Sequence, residues 1–474
     1  MNKPLLAALV SAAALPALTS AAAQPVPVAA AQPGTPIPDA ERIAALRDDA
    51  LVNDRYAWEI AEGLTTEVGP RLAGTEAEAR ARAWAVRRLT AMGFSNVHVE
   101  EFEMPVWVRG EERAEIISPF SQPLVVTALG NSGSTPANGL TAEVVEYASV
   151  EALEAAPDSA VRGRIVFITH SMPRTQDGSG YGQFGAPRRA GPSIASRKGA
   201  AGIVIRSIGT DYHRNPHTGV QNWAEGVRPI PAGALSLPDA EQLQRILSRG
   251  QPVRMRLTLT PRQIGRRRSG NVIAEVPGTD PSAGVVLIGG HLDSWDLGTG
   301  AFDNAAGVAI TAAAARRIMD VGRPRRTIRI VWFGAEEVGV FGGTDYFNRH
   351  RAENNVVFVA ESDFGADRIW RIDRSFDPGA SAVGERVADL LAPLGIVRGT
   401  AAGSGSADLG AWSQAGVAAI SLRQDGTRYF DFHHTPDDTL DKIDPSQLRQ
   451  NVAAWTAMLA VVANAPETIG PVRR

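Results

Sequence analysis

Imidazoles and carboxylates stand where the chain leaves one predicted strand after another. The strand at 285–288 runs through Gly289-Gly290 into His291-Leu292-Asp293, and Asp303 opens the next helix. The strand at 327–333 runs through Gly334-Ala335 into Glu336-Glu337, that at 356–361 ends just before Asp363, and the segment after 417–422 carries His433-His434. In an open α/β sheet, reactive groups collect beyond the carboxyl ends of the strands. Nitrogen and oxygen donors converging there make a hard site for divalent ions, with enough carboxylates for two ions to share one bridge. A lone His-x-Asp or Glu-Glu pair is usually a solvated surface feature; joint placement at consecutive strand ends is what points to chemistry. Of the eight histidines, His98, His170, His213 and His350 occupy ordinary contexts and read as structural or surface residues.

The elements that must position these groups are read from periodicity. From 39 to 94 apolar residues recur at helical spacing (Ile43 and Leu46; Ala57, Ile60 and Leu64; Ala83, Val86, Leu89 and Met92), broken at Gly69-Pro70 and stopped at Gly93. Residues 97–108 alternate as a strand. From about 120 to 265 the pattern changes to short strands and turns, which predicts an inserted domain with strands at 163–168 and 201–205. After Gly270 strands (272–276, 285–288, 327–333, 356–361, 417–422) alternate with helices (304–319, 346–351, 380–391, 445–462). Such alternation predicts an open, doubly wound α/β sheet with helices on both faces.

Composition narrows the function classes. The chain has 474 residues, 44% hydrophobic and 21% charged, with net charge −3, so it predicts packed domains and offers nucleic acid no sequence-wide attraction. The absence of cysteine excludes disulfides, zinc-thiolate sites and thiol catalysis. Lys3, the apolar run 5–18 and Ala21-Ala22-Ala23 predict a secretory signal peptide over 1–23, removed to leave a secreted or periplasmic protein with no stable membrane anchor. Residues 24–38, rich in Pro and Ala, read as a disordered leader. The expected division is 39–119 and 266–466 for the main domain, 120–265 for the insertion and 467–474 for a tail.

These residues resemble the co-catalytic di-zinc aminopeptidase and glutamate carboxypeptidase II family. The resemblance rests on His291-x-Asp293, Gly300-Ala-x-Asp303-Asn304-x-x-Gly307, Glu336-Glu337, Asp363, His434-Thr435-x-x-Asp438-Thr439 and the opening Gly69-Pro-Arg-Leu-Ala-Gly-Thr75. It covers nearly all of the chain beyond the signal. Gly289-Gly-His-Leu-Asp-Ser-Trp-Asp296, His217-Thr-Gly219 and Phe432-His-His434 are most similar to one branch, understood to cleave unsubstituted dipeptides. The resemblance implies the di-zinc exopeptidase fold, a mixed sheet, with a mostly β insertion similar to a protease-associated domain. It implies two Zn2+ per chain: His291 and Asp363 on one, Glu337 and His434 on the other, Asp303 bridging. Asp293 would accept the free imidazole N–H of His291, and Glu336 would be the general base that moves the proton of the attacking water to the leaving amine. A cis Asp303–Asn304 peptide is implied too, as is a homodimer roofing the cleft.

Other roles stay open. His433 is expected in the pocket or behind a ligand rather than on an ion. Asp408, His217 and Trp223 are candidate substrate contacts, against a helix N-terminal carboxylate for the first and a plain surface loop for the others. The expected function is a secreted metallo-exopeptidase acting on short peptides with a free N-terminus. The alternatives are an inactive binding or receptor-like module of the same fold, and a glutaminyl cyclase type acyl transferase that keeps only one zinc.

Overall fold

The computed structural model describes residues 39–470. The expected signal peptide and leader, and residues 471–474 of the expected tail, lie outside the described residues.

An eight-stranded mixed sheet carries the donor-bearing strands. Its order is Ser95–Val108, Arg262–Val276, Thr327–Phe333, Val285–His291, Val356–Glu361, Ala418–Gln424, Ile369–Ser375, Val397–Arg398. The four strands from Thr327–Phe333 to Ala418–Gln424 are mutually parallel, so their carboxyl ends open on one edge, and antiparallel strands flank them. Both faces are covered. Val286, Ile288, Ile330, Trp332, Phe358 and Ile420 pack into the large core with helices Ala306–Val321 and Pro445–Asn464. The alternate residues Leu287, Val331, Phe333 and Val359 meet Tyr346 of helix Phe341–His350 and Trp412 on the other side. Strands buried on both faces need continuous apolar runs rather than alternation, as residues 285–288 and 330–333 supply. The doubly wound reading of the sequence therefore holds.

Boundaries differ in informative places. The predicted strand 272–276 extends back to Arg262, because residues 262–276 pair with Ser95–Val108 in a long antiparallel ribbon whose exposed outer half has no apolar signal. The helix expected from 304 starts at Ala306: Asp303 and Asn304 have φ/ψ of −128°/88° and −137°/37°, outside the helical region, and the peptide between them is cis.

Residues 112–259 build a second eight-stranded sheet, Gln122–Leu124, Glu112–Ser118, Arg254–Leu259, Leu140–Tyr147, Ile165–Ile168, Gly202–Arg206, Ala232–Leu235, Val126–Ala128. Its middle is parallel and flanked by helices such as Gly191–Arg197 and Leu237–Leu247. The two chain crossings between the sheets touch at Gly110, where a Cβ would stand 2.0 Å from Thr260 O; only glycine permits that approach.

Candidate metal centre and catalytic cavity

The loops at the parallel edge bring the predicted donors together, all buried or nearly so. His291 Nε2 lies 2.9 Å from Asp303 Oδ1 and 3.1 Å from Asp363 Oδ1. His434 Nε2 lies 2.9 Å from Glu337 Oε2 and 3.4 Å from Asp303 Oδ2. Asp303 therefore stands between two donor sets, one oxygen toward each. Donors bound tetrahedrally to one zinc at about 2.0–2.1 Å lie about 3.3 Å apart, and the separations here bracket that value. Glu337 Oε1 is buried with no hydrogen-bond partner, a further free donor atom. The residues present fit divalent ions.

The electrostatics match. Burial alone would raise the Asp303 carboxyl, but hydrogen bonds from His291 and His434 hold it well below the usual carboxylate range. Glu336, half-buried beside them, is pushed well above its ordinary value by burial, with Asp363, Glu337 and Asp293 adding to the rise and His291 opposing it.

Asp293 is not placed quite as expected. The nearest acceptor to His291 Nδ1 is the main-chain oxygen of Asp293 at 3.0 Å, with its carboxylate at 3.6 Å. That carboxylate accepts instead from the N–H groups of Glu336 (3.0 Å) and Glu337 (3.3 Å). His433 stacks on His434 with ring centroids 3.5 Å apart, and its Nε2 lies 3.6 Å from Asp303 Oδ2. Burial, with His434 adding to it, holds its imidazole well below the ordinary value, and its Nδ1 has no partner.

Three expected substrate contacts lie off the cavity. Asp408 is 1% exposed, its Oδ1 accepting from Gly343 N–H at 3.1 Å behind the wall that Ala407 forms. His217 is 2% exposed and turned toward the main chain of His433. Trp223 donates to Asn131 O at 2.7 Å and does not line the cavity.

The cavity is about 350 Å³, and Asp303, Glu336, Glu337, Asp363, His433 and His434 line it. Tyr181, Phe364, Tyr429 and Phe430 form an aromatic wall. Arg188 joins them, 5% exposed: it donates to Thr218 O at 3.3 Å and to Tyr181 OH, its Nε has no partner, and no described carboxylate pairs with it. Nothing local in the sequence singles out this arginine, because its meaning comes from burial in a cavity whose acidic groups stand more than a hundred positions away.

A second missed residue is Arg71, fully buried. Its guanidinium donates to the carbonyls of Gly69, Leu292, Thr299 and Gly300, tying down both ends of the loop between His291 and Asp303. Burial lowers its pKa to about 10. Asp438 does the same for the turn that leads into the helix, accepting from Phe302 N–H at 2.6 Å and Asp303 N–H at 3.2 Å. Both lie in motifs visible in the sequence, at Gly69-Pro-Arg71 and His434-Thr435-x-x-Asp438, although spacing alone assigns them no role.

An open α/β sheet with two donor sets sharing a carboxylate defines a metal-dependent hydrolase class. The profile of Peptidase family M28 matches residues 271–459. Carboxypeptidase Q of Mus musculus is 36% identical over 408 residues, 86% of this chain and 85% of that protein. The chain belongs to peptidase family M28 and is a metallo-exopeptidase. Among solved structures, a peptidase M28 precursor from Shewanella amazonensis SB2B superposes with a TM-score of 0.89 at 46% identity, over 92% of this chain and 99% of that one. BSAP, a zinc aminopeptidase from Bacillus subtilis, shares the fold with a TM-score of 0.62 at 19% identity, over 87% and 96% of the two chains.

Proposed function

We propose that the protein is an exported zinc exopeptidase that hydrolyses short peptides, above all dipeptides with a free N-terminus. Two Zn2+ would be held by His291 with Asp363 and by His434 with Glu337, Asp303 facing both. The observation that carries this reading is that two donor sets share Asp303 while Glu336, bound to neither, opens on the same cavity. When bound, the ions would supply Lewis-acid polarisation of the scissile carbonyl and acidify the attacking water. Glu336 takes the proton from that water and returns it to the leaving amine, the role open to a carboxylate that faces the cavity without belonging to either donor set.

Arg188 supports short substrates. A buried guanidinium without a carboxylate is costly unless a ligand supplies the anion, and its forked donors match a terminal carboxylate. A carboxylate at Arg188 and an ammonium beside the acidic centre together read a peptide from both ends.

The test is a hydrolysis panel of free dipeptides, N-acetylated dipeptides and longer peptides, with zinc counted on the pure protein. Acetylation removes both the charge and the lone pair of the amine, so at least a tenfold loss of kcat/KM is expected, about 1.4 kcal/mol of transition-state stabilisation. Equal rates on a dipeptide and its acetylated form would refute the free-amine reading. One zinc per chain points to the acyl-transferase alternative, none to an inactive module.

A further inference from the structure

His217 belongs to the second-sheet segment, yet it acts on the donor-bearing turn of the main sheet. Its Nδ1 lies 2.7 Å from His433 O and its Nε2 2.8 Å from Asp211 Oδ1, while its own N–H donates to Ser207 Oγ at 2.9 Å. The His433 carbonyl can only accept, so Nδ1 donates to it, and Nε2 faces the Asp211 carboxylate. The His217 and Asp211 side chains are each 1% exposed. One residue on, the Thr218 carbonyl oxygen lies 3.2 Å from His434 Nδ1, and the Thr218 N–H donates to His434 O at 3.0 Å. The Thr218 hydroxyl anchors this rung to the second sheet by donating to Ala128 O at 2.8 Å, and it accepts from Arg109 at 3.2 Å.

The turn being held needs holding. Neither a strand nor a regular helix contains His433-His434, and His434 has φ 62°, a conformation that a non-glycine residue keeps only when its surroundings impose it. Space for the His217 ring is reserved by Gly209, where a Cβ would stand 2.2 Å from Nε2.

On the two-ion reading, we propose that His217, braced by Asp211, is a positioning residue: by holding His433 O it fixes the turn that aims His434 Nε2 at the ion shared with Glu337 and Asp303. The second-sheet segment thereby completes one half of the metal centre. Partners that orient a metal-ligating imidazole typically contribute 10- to 100-fold in metal affinity.

The experiment titrates chelator-stripped protein with Zn2+ by calorimetry. The wild type takes up two ions. His217→Ala binds one of them 10- to 100-fold more weakly and the other as before. His217→Asn, whose amide nitrogen falls near the Nδ1 position, recovers most of that loss; His217→Gln, whose amide nitrogen falls near Nε2, does not. Should the Ala variant fail to fold, the Asn against Gln contrast decides. Identical titrations for all four proteins, or equal losses in the Asn and Gln variants, overturn the positioning role and leave the two-ion site standing. A wild type that binds fewer than two ions overturns the reading on which the role rests.

Discussion

Asp293 holds Glu336 by the backbone: its Oδ1 accepts the Glu336 N–H at 3.0 Å, and its Oδ2 accepts the next N–H, of Glu337, at 3.3 Å. A single carboxylate thus sets the direction in which both acidic side chains leave the chain, one toward His434 and the other toward open cavity. Ala335, just before them, has φ 60°, so the turn is sharp and depends on that anchor.

Replacing Glu336 by Gln keeps the volume and removes the proton acceptor. A loss on the order of 10² to 10⁴ in kcat is expected, with the zinc content unchanged. Steady-state kinetics beside metal analysis decides, and turnover near wild type would sink the role of general base.

Asp293→Asn replaces one accepting oxygen with an NH2 group that faces a backbone N–H. Zinc affinity should fall about 10- to 100-fold and kcat with it, because the Glu336-Glu337 turn loses its register. Circular dichroism should show the fold intact; metal binding and turnover like those of wild type would show that the anchor is dispensable.

Arg188→Leu should raise KM for free dipeptides at least about tenfold, a loss of one charge-assisted pair. The same variant should lose its preference for a free C-terminus over an amidated one. If both enzymes discriminate equally between acid and amide, Arg188 does not read the carboxylate.

Glu78, fully buried, accepts from Arg82, from Ser269 Oγ at 3.2 Å and from Gly74 N–H at 3.3 Å. Burial raises its pKa to about 7 from 4.5, against the pull of Arg82. The folded state then holds this proton more tightly than the unfolded chain. The associated stability is fully present below about pH 4.5 and is lost as pH rises through about 7, on the order of 3 kcal/mol in all. Urea titrations of chelated protein at pH 5 and pH 8 should show a smaller gap between the two for Glu78→Gln than for wild type; an equal gap would show that Glu78 does not titrate in this range.

The donors are legible in the sequence because each depends on a local rule. A buried parallel strand reads as an apolar run, and the residues just beyond it stand at the sheet's open edge, so the pool of His291, Asp293, Asp303, Glu336, Glu337, Asp363, His433 and His434 is visible from element ends, while the choice of ligands within it rests on the family resemblance. The doubly wound sheet is legible for the same reason. Tertiary structure alone decides which partner each group meets. Asp293 lies two residues from His291, yet its carboxylate serves a loop forty residues on; His217 reads as recognition chemistry in the sequence, whereas the fold has it hold the main chain of His433; Asp408 sits behind the cavity wall. Arg71 and Arg188 carry no periodic signal, since a buried cation is defined by carbonyls and anions that the fold delivers from distant segments. Hydrophobic pattern and turn chemistry are short-ranged properties of a chain, whereas burial and hydrogen-bond partnership are set by packing across hundreds of residues.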